Sequence, residues 1–352
     1  MARLYVGTYT QPEDHVAGHG EGIYCFDLYE DSLAIAQRSI VRGIVNPSFL
    51  ALNSAASRLY AVSETTTEHG KLFAYAVDKN SGKLAMLSHQ SVLGAAPCYV
   101  SVGNHHALVA NYRGGSVVVL PIDEHGGVGP ASDHVVHVGS SVNKQRQEAP
   151  HPHAIVLDPA HRYALVPDLG ADTVISYRYD SSQGRLEPAS RSLRMHAGAG
   201  PRHLTFDRTG RFVYLINELD STIMACKYQD GTLTALHTVA ALPRSFTGTP
   251  SGADIHLHPS GRFLYASLRD INCIIRLRVH PDTGRLTGKA YAHGLGATPR
   301  NFAIDPCGRY LIVANQDSDA LVVMAIDPGT GLLTPIGVPT SVPSPACAVI
   351  AS

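Results

Sequence analysis

Three observations predict an all-β, seven-bladed β-propeller with four antiparallel strands per blade. A motif recurs six times at intervals of roughly 50 residues, each copy carries a second turn marker, and the chain ends are complementary halves of a seventh copy. The motif is an anchor proline, an alternating apolar stretch, a polar turn and a second apolar stretch. It begins at Pro47 (PSFLALNSAASRLYAVSE), Pro97 (PCYVSVGNHHALVANY), Pro152 (PHAIVLDPAHRYALVPD), Pro201 (PRHLTFDRTGRFVYLINE) and Pro299 (PRNFAIDPCGRYLIVANQ), with Gly252 in the proline's place in GADIHLHPSGRFLYAS. Alternation with period two marks strands, so each copy opens with two of them. A turn glycine before an aliphatic position then recurs at Gly82, Gly126, Gly184, Gly231, Gly284 and Gly331, which supplies the hairpin between a third and a fourth strand.

Residues 345–351 match only a first strand, whereas 3–9 and 22–28 match a second and a third. Placing the N- and C-terminal strands in one blade closes the ring and removes its open edges, so residues 1–352 are read as a single propeller domain. A solenoid would use shorter coils and would not need complementary ends. The absence of Trp argues against a WD-type propeller.

Composition narrows the function classes. Lys plus Arg number 28 against 29 for Asp plus Glu, so no global charge points to nucleic acid or an anionic membrane. With 44% hydrophobic residues the chain can fill a core, and 32 Gly and 22 Pro suit short strands joined by many turns. No apolar stretch reaches membrane-spanning length, the N-terminus passes directly into a strand-like alternation, and the six cysteines show no CxxC spacing. A cytoplasmic protein with buried, unpaired cysteines is expected, without nucleic-acid or membrane partners. The sequence leaves the oligomeric state open, and a monomer suffices.

In a propeller blade the innermost strand begins on the face at which the second strand ends. Aligning the copies at the end of the second strand collects one rim residue per blade: Tyr9, Glu64, Tyr112, Asp168, Glu218, Arg269 and Gln316. The position after each anchor gives Ser48, Cys98, His153, Arg202, Ala253, Arg300 and Ala346, with Asp254 one residue further on. A ring that served only as scaffold would be small or apolar. Titratable groups gathered at His153, Asp168, Arg202, Glu218, Asp254, Arg269 and Arg300 instead mark a candidate site at the mouth of a channel. The long connections, 10–21, 65–70, 139–150 and 243–251, all emerge on that face, as a substrate-binding or a protein-docking side requires.

Other motifs carry less. The His-x-His pairs 151/153 and 256/258 place two rings on one strand face, yet catalytic or packing roles account for them, and no metal or cofactor is expected. His105, His106, His134 and His137 are expected at the surface or in strand packing. The glycine-rich GHGEG at 18–22 lacks a following helix, and no GxSxG occurs, so neither a phosphate loop nor a serine nucleophile has support.

The segments GAGPRHLTFD (198–207), INELDST (216–222), ADIHLHPSGRFLYAS (253–267) and TPRNFAIDPCGRYLIVANQDS (298–318) resemble the seven-bladed lactonase family. That family contains the bacterial propeller type of 6-phosphogluconolactonase and the fungal carboxy-muconate cyclase. The resemblance runs end to end, including the opening VGTYT and VANYRGGSV (109–117). It implies a lactonase whose acting residues, matched motif by motif, are His153, Arg202, Glu218 and Arg269. The HPH segment offers both His151 and His153, and His153 is preferred because it follows its anchor as Arg202 does. His151, His203, Asp168, Asp254, Arg300, Gln316, Glu64 and Tyr112 complete the expected substrate-binding set.

Hydrolysing a lactone needs a base for water and positive donors for the developing oxyanion. Glu218 or His153 can be the base, while Arg202 and Arg269 can hold an oxyanion, a carboxylate or a phosphate in a bidentate manner. The expected partner is a small anionic lactone: 6-phosphogluconolactone first, an unphosphorylated sugar lactone second, a carboxy-muconolactone third. The same groups can move a proton beside a carboxylate, as a lactonising cyclase requires. The long-loop face alone would serve a non-catalytic interaction propeller.

Overall fold

In the computed structural model, which describes residues 2–29, 31–66, 70–189, 191–293 and 296–351, seven antiparallel sheets form the blades. Six are built from consecutive chain, with innermost strands Leu50–Leu52, Pro97–Val102, Val156–Leu157, Pro201–Phe206, Gly252–Leu257 and Pro299–Ile304; we number these blades one to six. The closing blade runs Pro345–Ala351, Ala2–Thr8, Ile23–Tyr29, Ala34–Val41 from the inside out. Its terminal strands pair antiparallel, with Leu4 opposite Ile350 and Val6 opposite Ala348, as the complementary ends require. Blade three departs from the four-strand pattern, because Arg185–Pro188 and Leu193–Arg194 both pair with Thr173–Asp180.

Second strands are flanked by neighbouring blades, and Phe212–Asn217 and Tyr310–Asn315 are buried at every residue. Tyr214, Ile216, Ile255, Leu264 and Ile275 belong to one apolar cluster that joins blades four and five. Fourth strands meet solvent and turn polar, as in Thr232–Ala240.

A repeated staple locks blade to blade. The arginine at the start of the second strand donates to the outer turn of the next blade: Arg58 to the His125 carbonyl, Arg162 to Asp230, Arg211 to the Pro281 carbonyl and Arg262 to the Pro328 carbonyl. Arg162, Arg211 and Arg262 also cover the aromatic rings that follow them. This packing explains the recurrent turn glycine. Gly284 has φ of 66°, and a Cβ there would lie 2.5 Å from the Phe212 ring of the preceding blade. Glycine alone permits both the left-handed turn and the close approach.

No helix among the described residues is long and apolar enough to cross a membrane. Five cysteines are buried, as expected. Cys307 is exposed, because it occupies the polar turn between the first two strands of blade six.

Candidate active site

One hydrogen bond, repeated in every blade, builds the rim. The N–H of the residue after the second strand's last inward pair donates to the carbonyl of the residue before the anchor. Tyr9 bonds Ser344, Glu64 bonds Asn46, Tyr112 bonds Ala96, Leu169 bonds His151, Glu218 bonds Gly200, Arg269 bonds Ser251 and Gln316 bonds Thr298, at 2.7 to 3.0 Å. This register corrects the sequence alignment in blade three, where Leu169 and not Asp168 holds the rim position. Asp168 lies one residue earlier and turns into the blade. Fully buried, it accepts from the His151 N–H at 2.7 Å and the Ala171 N–H at 3.0 Å, with His137 Nδ1 at 2.7 Å.

A second device aims the residue after the anchor. The register shifts at the start of the innermost strand, leaving Cys98, Arg202, Arg300 and Ala346 outside the ladder. Such bulges re-aim a side chain, here towards the channel. His153 holds the same place in blade three, its N–H bonding the Pro167 carbonyl at 3.0 Å.

A cavity of about 670 Å³ opens at this mouth, lined by Glu64, Cys98, Tyr112, His151, His153, Glu218, Arg269 and Arg300. All four long connections reach it, through Asp14 and His15, through Thr66, through Arg146 and Glu148, and through Ser251. Residues 67–69 of the second connection lie outside the described residues.

Glu218 sits buried against three guanidinium groups. Arg202 Nε donates to Oε2 at 2.9 Å, Arg269 Nη2 reaches the same oxygen at 3.1 Å, and Arg146 Nη2 donates to Oε1 at 2.5 Å. Burial is the largest single influence and raises the Glu218 carboxyl, but Arg269, Arg146 and Arg202 together outweigh it and hold the group well below the usual carboxylate range. Arg202 also donates to the Ala253 carbonyl at 2.7 Å. Burial, followed by repulsion from Arg269, pushes Arg202 down to about 10. The His153 ring packs edge-on to Tyr112 at 5.1 Å and to His203 at 5.3 Å, with Nδ1 3.6 Å from the Cys98 sulfur. Burial and then the Arg202 charge hold its pKa well below that of free imidazole, so the ring is neutral at physiological pH.

Across the mouth stands a second carboxylate. Glu64 Oε2 accepts from the Ser48 hydroxyl and from the Tyr9 hydroxyl at 2.9 Å. The Tyr9 oxygen accepts from Arg300 Nη2 at 2.7 Å and lies 3.1 Å from His15 Nε2. Burial raises the Glu64 carboxyl and is not overcome by Arg300 and the two hydroxyls. Gln316, expected to bind substrate, stands behind Arg300 and accepts from its Nη1 at 3.3 Å.

His203 and Asp254 are absent from the mouth. His203 follows the bulged Arg202, and Asp254 lies within the register shift between Gly252 and Ile255; both line a separate cavity of about 340 Å³. His203 Nδ1 is 2.8 Å from Asp254 Oδ1, and Asp254 Oδ2 accepts from Asn301 Nδ2 at 2.6 Å. His203 Nε2 lies 3.1 Å from Arg202 Nη1, so this pair supports the floor from below. His151 does reach the mouth, stacked on Tyr112 with ring centres 4.5 Å apart. Sequence reasoning missed Arg146 and His15, and the only signal for either was the length of the connection that carries it.

Residues 3–350 match the family model described as "Lactonase, 7-bladed beta-propeller". The chain belongs to this lactonase family. Among its relatives, 6-phosphogluconolactonase of Bacillus subtilis strain 168 is 35% identical over 306 residues, 86% of this chain and 84% of that one. A 6-phosphogluconolactonase of Formosa agariphila is 32% identical over 309 residues, 86% of each chain. The solved structure of a Pseudomonas aeruginosa periplasmic gluconolactonase matches with a TM-score of 0.93 at 32% identity, covering 100% of this chain and 99% of that one. In this lactonase-family chain, Arg202 and Arg269 converge on Glu218; Glu218, Arg269 and His153 line the cavity, and Arg202, expected beside them, lies buried behind the wall.

Proposed function

We propose that the mouth cavity hydrolyses a sugar-type lactone carrying an anionic group, with 6-phosphogluconolactone as the substrate. The observation that carries this reading is Glu218, ionised and ringed by Arg146, Arg202 and Arg269, in one cavity with the neutral His153. Counting the buried Arg202 behind the wall, five guanidiniums (Arg113, Arg146, Arg202, Arg269 and Arg300) meet four carboxylates (Asp14, Glu64, Glu148 and Glu218) around this cavity. The excess of positive charge suits a phosphate monoester, which carries about −1.5 to −2 at neutral pH. The names of the two relatives at 35% and 32% identity support the same substrate.

Water attacks the lactone carbonyl, and Glu218 Oε1, bonded to a loop arginine rather than to the floor, takes its proton. The carbonyl oxygen gains the negative charge, which Arg269 stabilises at the cavity wall with the charge of the buried Arg202 behind it. As the ring C–O bond breaks, the departing alkoxide receives a proton held between Glu218 and His153. The product is the open hydroxy acid. Five buried cysteines fit a cytoplasmic setting, where thiols stay reduced.

A second reading, hydrolysis of an unphosphorylated gluconolactone, is favoured by the periplasmic relative, whose name specifies gluconolactone. The test is a pH-stat assay of 6-phosphogluconolactone, glucono-δ-lactone and a carboxy-muconolactone, with the spontaneous rate subtracted. Enzyme-dependent acid release is expected with the first. Release with the neutral lactone alone removes the phosphate from the reading, and no release with any of them removes the lactonase activity itself.

A further inference from the structure

We propose that Arg146 is the specificity residue of this cavity: it receives the substrate's phosphate at the mouth and thereby frees Glu218 Oε1. The inference rests on the lactonase reading above and deepens it. It begins from a difference among the four arginines. Arg202, Arg269 and Arg300 come from rim or bulge positions and are braced by protein: Arg202 by the Ala253 carbonyl, Arg269 by the Gly252 carbonyl at 3.3 Å, and Arg300 by Gln316 and Tyr9. Arg146 comes from the long connection of blade two, and its side chain is 43% exposed, against 3% for Arg202 and 15% for Arg269.

Arg146 uses one nitrogen for both of its partners. Nη2 donates to Glu218 Oε1 and, at 3.2 Å, to the Tyr112 hydroxyl. No hydrogen bond from Nε or Nη1 occurs among the described residues, and each two-pronged edge of a guanidinium pairs one of these with Nη2, so an oxyanion that binds bidentately draws Nη2 away from Glu218. Of the other charged groups at the mouth, Arg113 pairs with Asp14, and the Glu148 carboxylate lies 3.0 Å from His151 Nε2.

The loop that carries this fork is pinned. Gln147 is fully buried; its Nε2 donates to the Leu169 carbonyl at 2.9 Å, and its Oε1 accepts from the Asn143 N–H at 3.2 Å. The Gln147 N–H and carbonyl bond the Asn143 carbonyl at 2.7 Å and the Ser141 N–H at 2.9 Å. Leu169 is the aliphatic member of an otherwise polar or aromatic rim, and its backbone anchors the loop where its side chain offers no polar group. The guanidinium is therefore presented in place, which lowers the ordering cost of binding an anion.

An exchange follows from these contacts. A phosphate on Arg146 competes with Glu218 Oε1 for the same nitrogen. Once the bond to Oε1 weakens, that oxygen can accept from water, and the carboxylate becomes a better base for the lactone bound below. A neutral lactone leaves Arg146 on Glu218 and gains neither the anchor nor the stronger base.

Binding of the hydrolysis products separates this inference from the activity. Calorimetric titration of the full-length protein with 6-phosphogluconate and with gluconate is expected to show a preference for the phosphorylated acid. In Arg146→Ala that preference falls by about 10- to 100-fold, as expected for the loss of charge-assisted hydrogen bonds. Arg146→Lys keeps the charge without the fork and falls in between, and thermal melts report that the variants are folded. An unchanged preference in a folded Arg146→Ala protein, or no preference in the wild type, overturns the assignment. If the lactone panel shows no turnover while the preference still depends on Arg146, the phosphate subsite stands and the lactonase reading falls. Turnover of the phosphorylated lactone with an Arg146-independent preference has the opposite meaning.

Discussion

Glu64 and Glu218 occupy the same repeat position, at the end of the second strand of blades one and four, and face the same cavity. Their chemistry is opposite. Glu64 is held by the neutral hydroxyls of Ser48 and Tyr9, and burial raises its carboxyl; Glu218 is held by three guanidiniums, which keep it ionised. Their partners also come from different stretches of chain. Those of Glu218 lie between residues 146 and 269, whereas the Glu64 network joins Tyr9 near the N-terminus to Arg300 in the last complete blade. Equivalent backbone geometry thus delivers a carboxylate without deciding its charge, and the partners decide it.

Deleting residues 345–352 breaks the comparison most severely. It removes the innermost strand of the closing blade and uncovers the edge of Ala2–Thr8, beside Tyr9. Loss of the single cooperative melt, or a Tm lower by roughly 10 °C or more, is expected. An unchanged calorimetric transition would show that ring closure does not support the fold.

Next in size is the effect on turnover. Glu218→Gln preserves shape but removes the base, so kcat is expected to fall by about 10²-fold or more, while Glu64→Gln changes it by less than about fivefold. Rates on 6-phosphogluconolactone, corrected for spontaneous hydrolysis, decide this. Near-normal turnover in Glu218→Gln together with an inactive His153→Ala would move the base to His153.

The smallest effect sharpens the contrast through pH. The folded Glu218 carboxyl lies below its unfolded value, so its stabilising contribution is present above about pH 4.5 and is lost as pH falls through the folded pKa. The folded Glu64 carboxyl lies above its unfolded value, so its contribution is present below about pH 4.5 and is lost as pH rises through the folded pKa. Differences in Tm between the wild type and the two Glu→Gln variants, measured from pH 7 to 4, are expected to change with opposite slopes. Parallel slopes would mean that the two carboxyls share one environment.

The repeat by itself determined the ring, its closure and most of the rim, because strand alternation, anchor prolines and turn glycines are local features that recur with the blades. Glu218, Arg202, Arg269 and His153 were legible on that basis and on the family motifs. The blade-three rim residue was recoverable too, since counting from Arg162 as from Arg211 reaches Leu169 rather than Asp168. Only the tertiary structure decided the rest. It set His203 and Asp254 beneath the floor, because the shifted register at the start of the innermost strand sends one residue to the mouth and the next one deeper, and it set Gln316 behind Arg300. It also brought Arg146 from an aperiodic loop onto Glu218 and gave two equivalent glutamates opposite titration. Charge depends on groups that arrive from other blades, and a local sequence pattern does not carry that information.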